Sequence, residues 1–142
     1  MKRTDFDSLE YFSYNEIKLT GALINGLQFV LMDRVDKLRD AIKRRIHPLK
    51  NGFNSGEHKS IYHKTGYAID FTLDPKDGPV DVNYMICMME QIGFKGIGVY
   101  WNGKQWSFHG DLRQKVGKWK ALKVGGGWLY TPLVDSDPSK LY

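Results

Sequence analysis

Two runs of the chain carry the side chains best suited to chemistry: His63-Lys64-Thr65-Gly66-Tyr67-Ala68-Ile69-Asp70 and Phe108-His109-Gly110-Asp111. Alternate residues of a strand share a face. An extended segment over 66–71 therefore puts Gly66, Ala68 and Asp70 on one side, and Tyr67, Ile69 and Phe71 on the other. The first side reads small, small, carboxylate, which leaves room above the strand with an oxygen ligand at its edge. His63 can fold back over that room, and His109 supplies a second imidazole from a distant part of the chain. Two neutral imidazoles, a carboxylate and an open position form the kind of set a catalytic zinc uses. Such an ion polarises a carbonyl and lowers the pKa of its bound water to about 7. Spacing alone leaves the plainer alternative open, in which each histidine is a surface residue or a hydrogen-bonded core residue.

The pattern His63-x-x-Gly66-x-Ala68-x-Asp70 resembles the central motif of the zinc D-alanyl-D-alanine carboxypeptidases. That family includes phage endolysins that cut peptidoglycan peptides, and it shares its fold with the hedgehog signalling domain. Further runs follow the order of one of its branches: Phe12-Ser13-Tyr14-Asn15-Glu16, Gly96-Ile97-Gly98-Val99-Tyr100, Phe108-His109-Gly110-Asp111-Leu112-Arg113 and Lys118-Trp119. The resemblance implies one zinc ion held by His63, Asp70 and His109. It also implies an α+β fold, with a small antiparallel sheet packed against a long N-terminal helix and a second helix. The implied activity is a metallopeptidase hydrolysing peptidoglycan stem or cross-link peptides next to a D-amino acid, as a D-Ala-D-Ala carboxypeptidase or an endolysin-type endopeptidase.

Three positions depart from the family pattern. Ile61 stands where many relatives have Ser, with Ser60 one place further back. The segment 50–55 lacks the Arg that grips a substrate carboxylate. Trp106 stands three residues before the last ligand, where many relatives place the catalytic Glu or Asp. Asp111 is then the candidate general base, since alternation puts it beside His109. Its rival role is to hold the His109 ring by the other N–H. His58, Lys64 and Arg113 are candidate substrate contacts. A non-catalytic cell-wall or zinc-binding module on the same fold is the main alternative.

The 142 residues predict a single domain spanning 1–142. No apolar run reaches the length of a membrane span, and the basic N-terminus lacks the apolar stretch of a secretory signal. The expectation is a monomer made in the cytoplasm and, in a phage or prophage setting, released to the cell wall as a lysin. The net charge of +5 favours an anionic partner. Nucleic acid has only this charge and the Lys/Trp run at 115–123 behind it, and is not expected. Cys87, the single cysteine, excludes an internal disulfide and reads as a buried thiol among methionines.

The elements that must position the site follow from periodicity. Leu27, Leu31, Val35, Leu38, Ile42 and Ile46 form one apolar stripe, predicting a helix over 23–46 stopped by Pro48. The basic cluster Lys43-Arg44-Arg45 would sit at its negative end. Residues 50–62 read as a cleft-lining loop and 66–73 as a strand. Asp81 and Gly93 bracket a second helix. Asn102-Gly103 turns a hairpin over 96–113. The tail 114–142 reads as a solvated edge with one packed Trp, then a glycine turn into a final strand.

Overall fold

The structure, a computed structural model, describes residues 1–133; the part of the predicted tail beyond them lies outside the described residues. It is an α+β arrangement built on a six-stranded sheet in the order β1-β2-β4-β3-β5-β6. The strands are β1 (Ile46–Pro48), β2 (Ala68–Leu73), β3 (Gly96–Trp101), β4 (Trp106–Asp111), β5 (Gly117–Val124) and β6 (Gly127–Leu133). The helices are α1 (Tyr14–Leu19), α2 (Phe29–Ile42), α3 (Ile61–Lys64) and α4 (Val82–Ile92).

The sheet is mixed, which corrects the expectation of an antiparallel one. β3 and β5 run parallel, while every other neighbouring pair is antiparallel. The cause is occupancy. β4 pairs with β2 on one edge and β3 on the other, so β5 must dock on the open edge of β3. Reversing direction after β4 makes it parallel there.

One face of the sheet carries the core. Ile69, Phe71 and Leu73 of β2, Ile97 and Val99 of β3, and Phe108 of β4 are buried against the helices. Phe71 and Phe108 stack across the β2–β4 register, with ring centroids 5.5 Å apart. From α2, Leu31, Met32, Val35, Leu38 and Ile42 complete this layer, and α4 packs alongside with Met85 and Met89.

The long helix is shorter than its stripe. It begins at Phe29, after a 3-10 turn over Ile24–Gly26, and ends at Ile42, where Lys43 turns left-handed with φ 57°. Leu27 and Ile46 are buried as expected, but from outside the helix. Pro48 closes β1 instead of stopping a helix. Arg44 and Arg45 do not face the helix end. Arg44 donates to the carbonyls of Asp74, Gly78 and Pro79, and Arg45 pairs with Asp77 at 3.0 Å, so both hold the turn after β2.

The second helix and the hairpin fold as read. The Asp81 side chain accepts from the Tyr84 N–H, and Gly93 closes α4 with φ 116°. Asn102 Oδ1 accepts from the N–H groups of Lys104 and Gln105 in the β3–β4 turn. Cys87 is exposed on α4, contrary to the buried thiol expected; the core stripe of that helix passes through Met85 and Met89 instead. No helix among the described residues is long and apolar enough to cross a membrane.

Candidate metal centre

The opposite face of the sheet, together with α3, forms a cleft of about 480 Å³, within the range of small-molecule sites. Asp70 on β2 and His109 on β4 are directly opposed in register, so both side chains emerge at one point of this face. His63 reaches the same point from α3. Ser60 caps that single-turn helix by accepting from the Tyr62 N–H. Gly66 precedes β2 and lies against the Gly26 carbonyl, so the small face of the strand is Ala68 alone.

The three predicted ligands converge. His63 Nε2 lies 3.2 Å from His109 Nδ1 and 3.3 Å from Asp70 Oδ2, and His109 Nδ1 lies 2.9 Å from Asp70 Oδ1. Their other hydrogen bonds determine what those atoms offer. His63 Nδ1 lies 2.6 Å from the Phe53 carbonyl. A carbonyl can only accept, so Nδ1 carries the proton and Nε2 presents a lone pair. His109 Nε2 lies 2.7 Å from Asp111 Oδ2. Asp111 also accepts from Arg113 Nε at 2.8 Å and from its terminal nitrogen at 2.7 Å, which keeps it ionised. His109 therefore donates through Nε2 and turns the Nδ1 lone pair toward Asp70.

Two lone pairs and a carboxylate facing one point repel each other unless a cation or a proton sits among them. In the bare chain a proton does so. Burial works against a charged His109, but hydrogen bonds to Asp111 and Asp70 more than offset it and push its pKa up to about 9. Burial likewise opposes an ionised Asp70, yet the bond from charged His109, with the His63 ring beside it, holds its carboxyl far below the usual range. Asp111 is depressed in the same way: burial opposes its charge, and Arg113 and His109 prevail.

Two packing details keep this bracing in place. A Cβ on Gly96 would fall 2.1 Å from the Asp111 carboxylate, and one on Gly98 would fall 2.5 Å from the Trp119 ring. Both strand positions are thereby restricted to glycine, which lets Asp111 and Trp119 lie flat against β3. The Trp119 ring in turn lies 5.2 Å from that of His109.

The remaining site candidates fall elsewhere. Asp111 is wholly buried and outside the cleft lining, with both oxygens engaged. This geometry fits the rival role, support of the His109 ring, better than that of general base: it touches His109 and does not line the cleft. Arg113 is buried, paired with Asp111 and stacked over Tyr62 and Trp119, so it braces the site and does not reach substrate. Lys64 is exposed and outside the cleft lining. His58 does line the cleft. Its ring stacks on His63 at 3.9 Å and 10°, and its Nε2 lies 2.7 Å from the Asn51 carbonyl. The ligand atoms of His58, His63 and Asp70 all lie within 4.8 Å of one another, and this group could hold a metal ion.

The 50–62 loop lines the cleft as expected, through Glu57, His58, Lys59 and Ser60; sequence reasoning missed Tyr100, Trp128 and Tyr130. The alternation of Trp128 and Tyr130 was the available signal for the last two. Trp106 packs against the hydrophobic core. Strand alternation turns it away from His109, so a carboxylate at that position would not enter the cleft.

The fold and site thus define an α+β protein with a buried His/Asp cluster able to take a metal ion at the floor of a cleft. No family model matches the chain, and no curated protein or solved structure does so either.

Proposed function

We propose that the chain is a zinc-dependent peptidase of the D-alanyl-D-alanine carboxypeptidase or endolysin type, acting on peptidoglycan stem or cross-link peptides next to a D-amino acid. The observation that supports it is the convergence of His63 Nε2, Asp70 and His109 Nδ1 at 2.9–3.3 Å, held together in the bare chain by a single proton on His109 that a cation could replace. Two imidazole nitrogens and a carboxylate are donor types that zinc takes, and these three would hold it. The fourth corner would be left to solvent beside Asp70, whose side chain is 30% exposed against 4% for His63 and 6% for His109.

His58 fits a different role. Its ring stacks on His63 and its Nε2 is engaged with the Asn51 carbonyl, which seats it on the side of the cleft away from His109 Nδ1 and Asp70 Oδ1 in their direct contact. His109, tilted 62° from His63, can share an ion with it. His58 is therefore assigned to contact substrate, as a wall of the cleft.

Zinc in this setting supplies Lewis acidity, polarising a carbonyl and making water acidic enough to attack near neutral pH. The protein's part is orientation and proton transfer. Asp111 and Arg113 hold His109 in the tautomer that turns Nδ1 to the ion. The Phe53 carbonyl does the same for His63. Proton transfer falls to the 51–60 loop, where Glu57 is the one carboxylate besides Asp70 that lines the cleft among the described residues.

The test is incubation of zinc-loaded protein with purified peptidoglycan, reading new amino groups and released D-alanine, with His63→Ala in parallel. Hydrolysis by the wild type alone is the expected result. Full zinc occupancy without hydrolysis would instead favour the binding-module reading, which Trp106 at the position of the family's acid supports.

A further inference from the structure

The cleft face of the sheet does not stop at the metal centre. In the β5–β6 register Trp119 faces Pro132, Ala121 faces Tyr130 and Lys123 faces Trp128. Trp119, Trp128 and Tyr130 therefore share the side of the sheet that carries His109. Tyr100 of β3 stands among them, its ring 5.2 Å from Trp128 at 88° and 6.1 Å from Tyr130 at 87°. Its hydroxyl accepts from Trp119 Nε1 at 2.7 Å. The three rings of Tyr100, Trp128 and Tyr130 are half-buried, fixed by one another and open to the cleft.

From β4 to β6 is three strand spacings, or about 14 Å at about 4.8 Å each. An aromatic wall thus runs from the metal ligands to the outer strand. Its chemistry is specific. The rings line an open groove, where a closed pocket would suit an aliphatic side chain. Tyr and Trp present apolar faces with O–H and N–H groups at their tips. At the outer end the Lys123 ammonium lies 4.9 Å from the Trp128 ring and offers a further donor. A partner with a flat C–H face and a rim of hydroxyl and carbonyl acceptors complements such a wall, and a pyranose ring bearing an acetamido group has that form.

We propose that the groove walled by Tyr100, Trp119, Trp128 and Tyr130 binds an N-acetylated amino-sugar unit, so that the peptide is cut while still attached to its glycan. The coupling to cleavage rests on the peptidase reading above; the sugar site itself does not. The sugar lies along β5 and β6, and the peptide continues toward His63, Asp70 and His109. Only a substrate carrying both parts fills the whole cleft.

Chitotetraose, a β-1,4 oligomer of N-acetylglucosamine without peptide, is the direct probe. It is titrated into metal-free and zinc-loaded full-length protein, following tryptophan fluorescence and binding heat. The expected result is saturable binding of similar strength with and without zinc, weakened tenfold or more in Trp128→Ala and Tyr130→Ala and largely retained in Trp128→Phe. Circular dichroism verifies that each variant is folded. In hydrolysis, kcat/KM for a sugar-bearing muropeptide should exceed that for the bare peptide about tenfold, and the ratio should fall toward one in Trp128→Ala. Absence of saturable chitotetraose binding, or binding indifferent to both alanine variants, overturns the proposal, as does tighter binding of an apolar tetrapeptide than of the sugar. Sugar binding without any hydrolysis would remove the peptidase reading and leave the groove assignment standing. Equal hydrolysis of both substrates without sugar binding would do the reverse.

Discussion

Asp70 and His109 face each other across the β2–β4 pair, with Asp70 Oδ1 2.9 Å from His109 Nδ1. The contact is made by residues 39 apart in sequence, and strand register alone brings them together. A slip of either strand by one residue would turn its own side chain into the core and part the pair. The geometry of this His/Asp cluster is therefore as well defined as the sheet pairing beneath it.

Removing a ligand should empty the site while leaving that pairing. His63→Ala and Asp70→Asn are each expected to lower bound zinc from one equivalent to near zero at micromolar metal, measured by native mass spectrometry. Retention of a full equivalent in both variants would show that the ion sits elsewhere.

Asp111→Asn separates bracing from catalysis. The buried Arg113 charge would lose its partner, and breaking such a pair costs about 3–5 kcal/mol. Loss of the anchor on a ligand imidazole lowers metal affinity roughly 10–100-fold. Denaturant melts and competition with a chelator read the two effects. An unchanged zinc affinity with hydrolysis abolished would return Asp111 to the general-base role.

The pH dependence of the metal-free protein follows from the two kinds of shift. His109 rises from 6.5 to about 9 on folding, so its stabilisation is complete below about 6.5 and fades as pH climbs through about 9. Asp70 and Asp111 are depressed from 3.8, so their contribution is present above that value and is lost on acidification. The metal-free protein should thus melt highest between about pH 4 and 6.5 and lose stability toward pH 10, as thermal melts across that range would register. If zinc binds through His109 it displaces that proton, so its affinity should climb with pH up to about 9. A flat affinity profile would exclude His109 as a ligand.

Gly98→Ala tests the contact between β3 and Trp119. The added Cβ would fall 2.5 Å from the indole, and overpacking of this kind costs about 1–3 kcal/mol. Displacement of the ring would also break its bond to Tyr100. A near-ultraviolet dichroism change together with a lower melting temperature is expected; an unaltered spectrum would mean that the ring has room to yield.

The two helices, the hairpin and the shared face of Asp70 and His109 were legible because each rests on a local signal: an apolar stripe, a capping Asp81 with Gly93, an Asn-Gly turn, and strand alternation. What escaped was non-local. Nothing near Lys43 announces a left-handed residue, so α2 was read through to Pro48. The parallel β3–β5 pairing depends on β4 having both edges filled, which no window of sequence displays. The burial of Asp111 depends on Arg113 closing over it, and the alternation that placed it beside His109 could not distinguish a cleft residue from one sealed beneath. The aromatic wall was scattered over β3, β5 and β6, and became visible only once those strands lay side by side.

The separation of the donors along the chain has a consequence for the order of assembly. His63 and His109 are 46 residues apart, and between them lie β2, α4, β3 and the turn into β4. Contacts of that range form after local ones, because long loops must close first. An ion taken up here cannot serve as a seed for folding. It would act as a latch, fastened once the sheet is complete, and its departure would loosen the seam between α3 and the strands before it loosened the core.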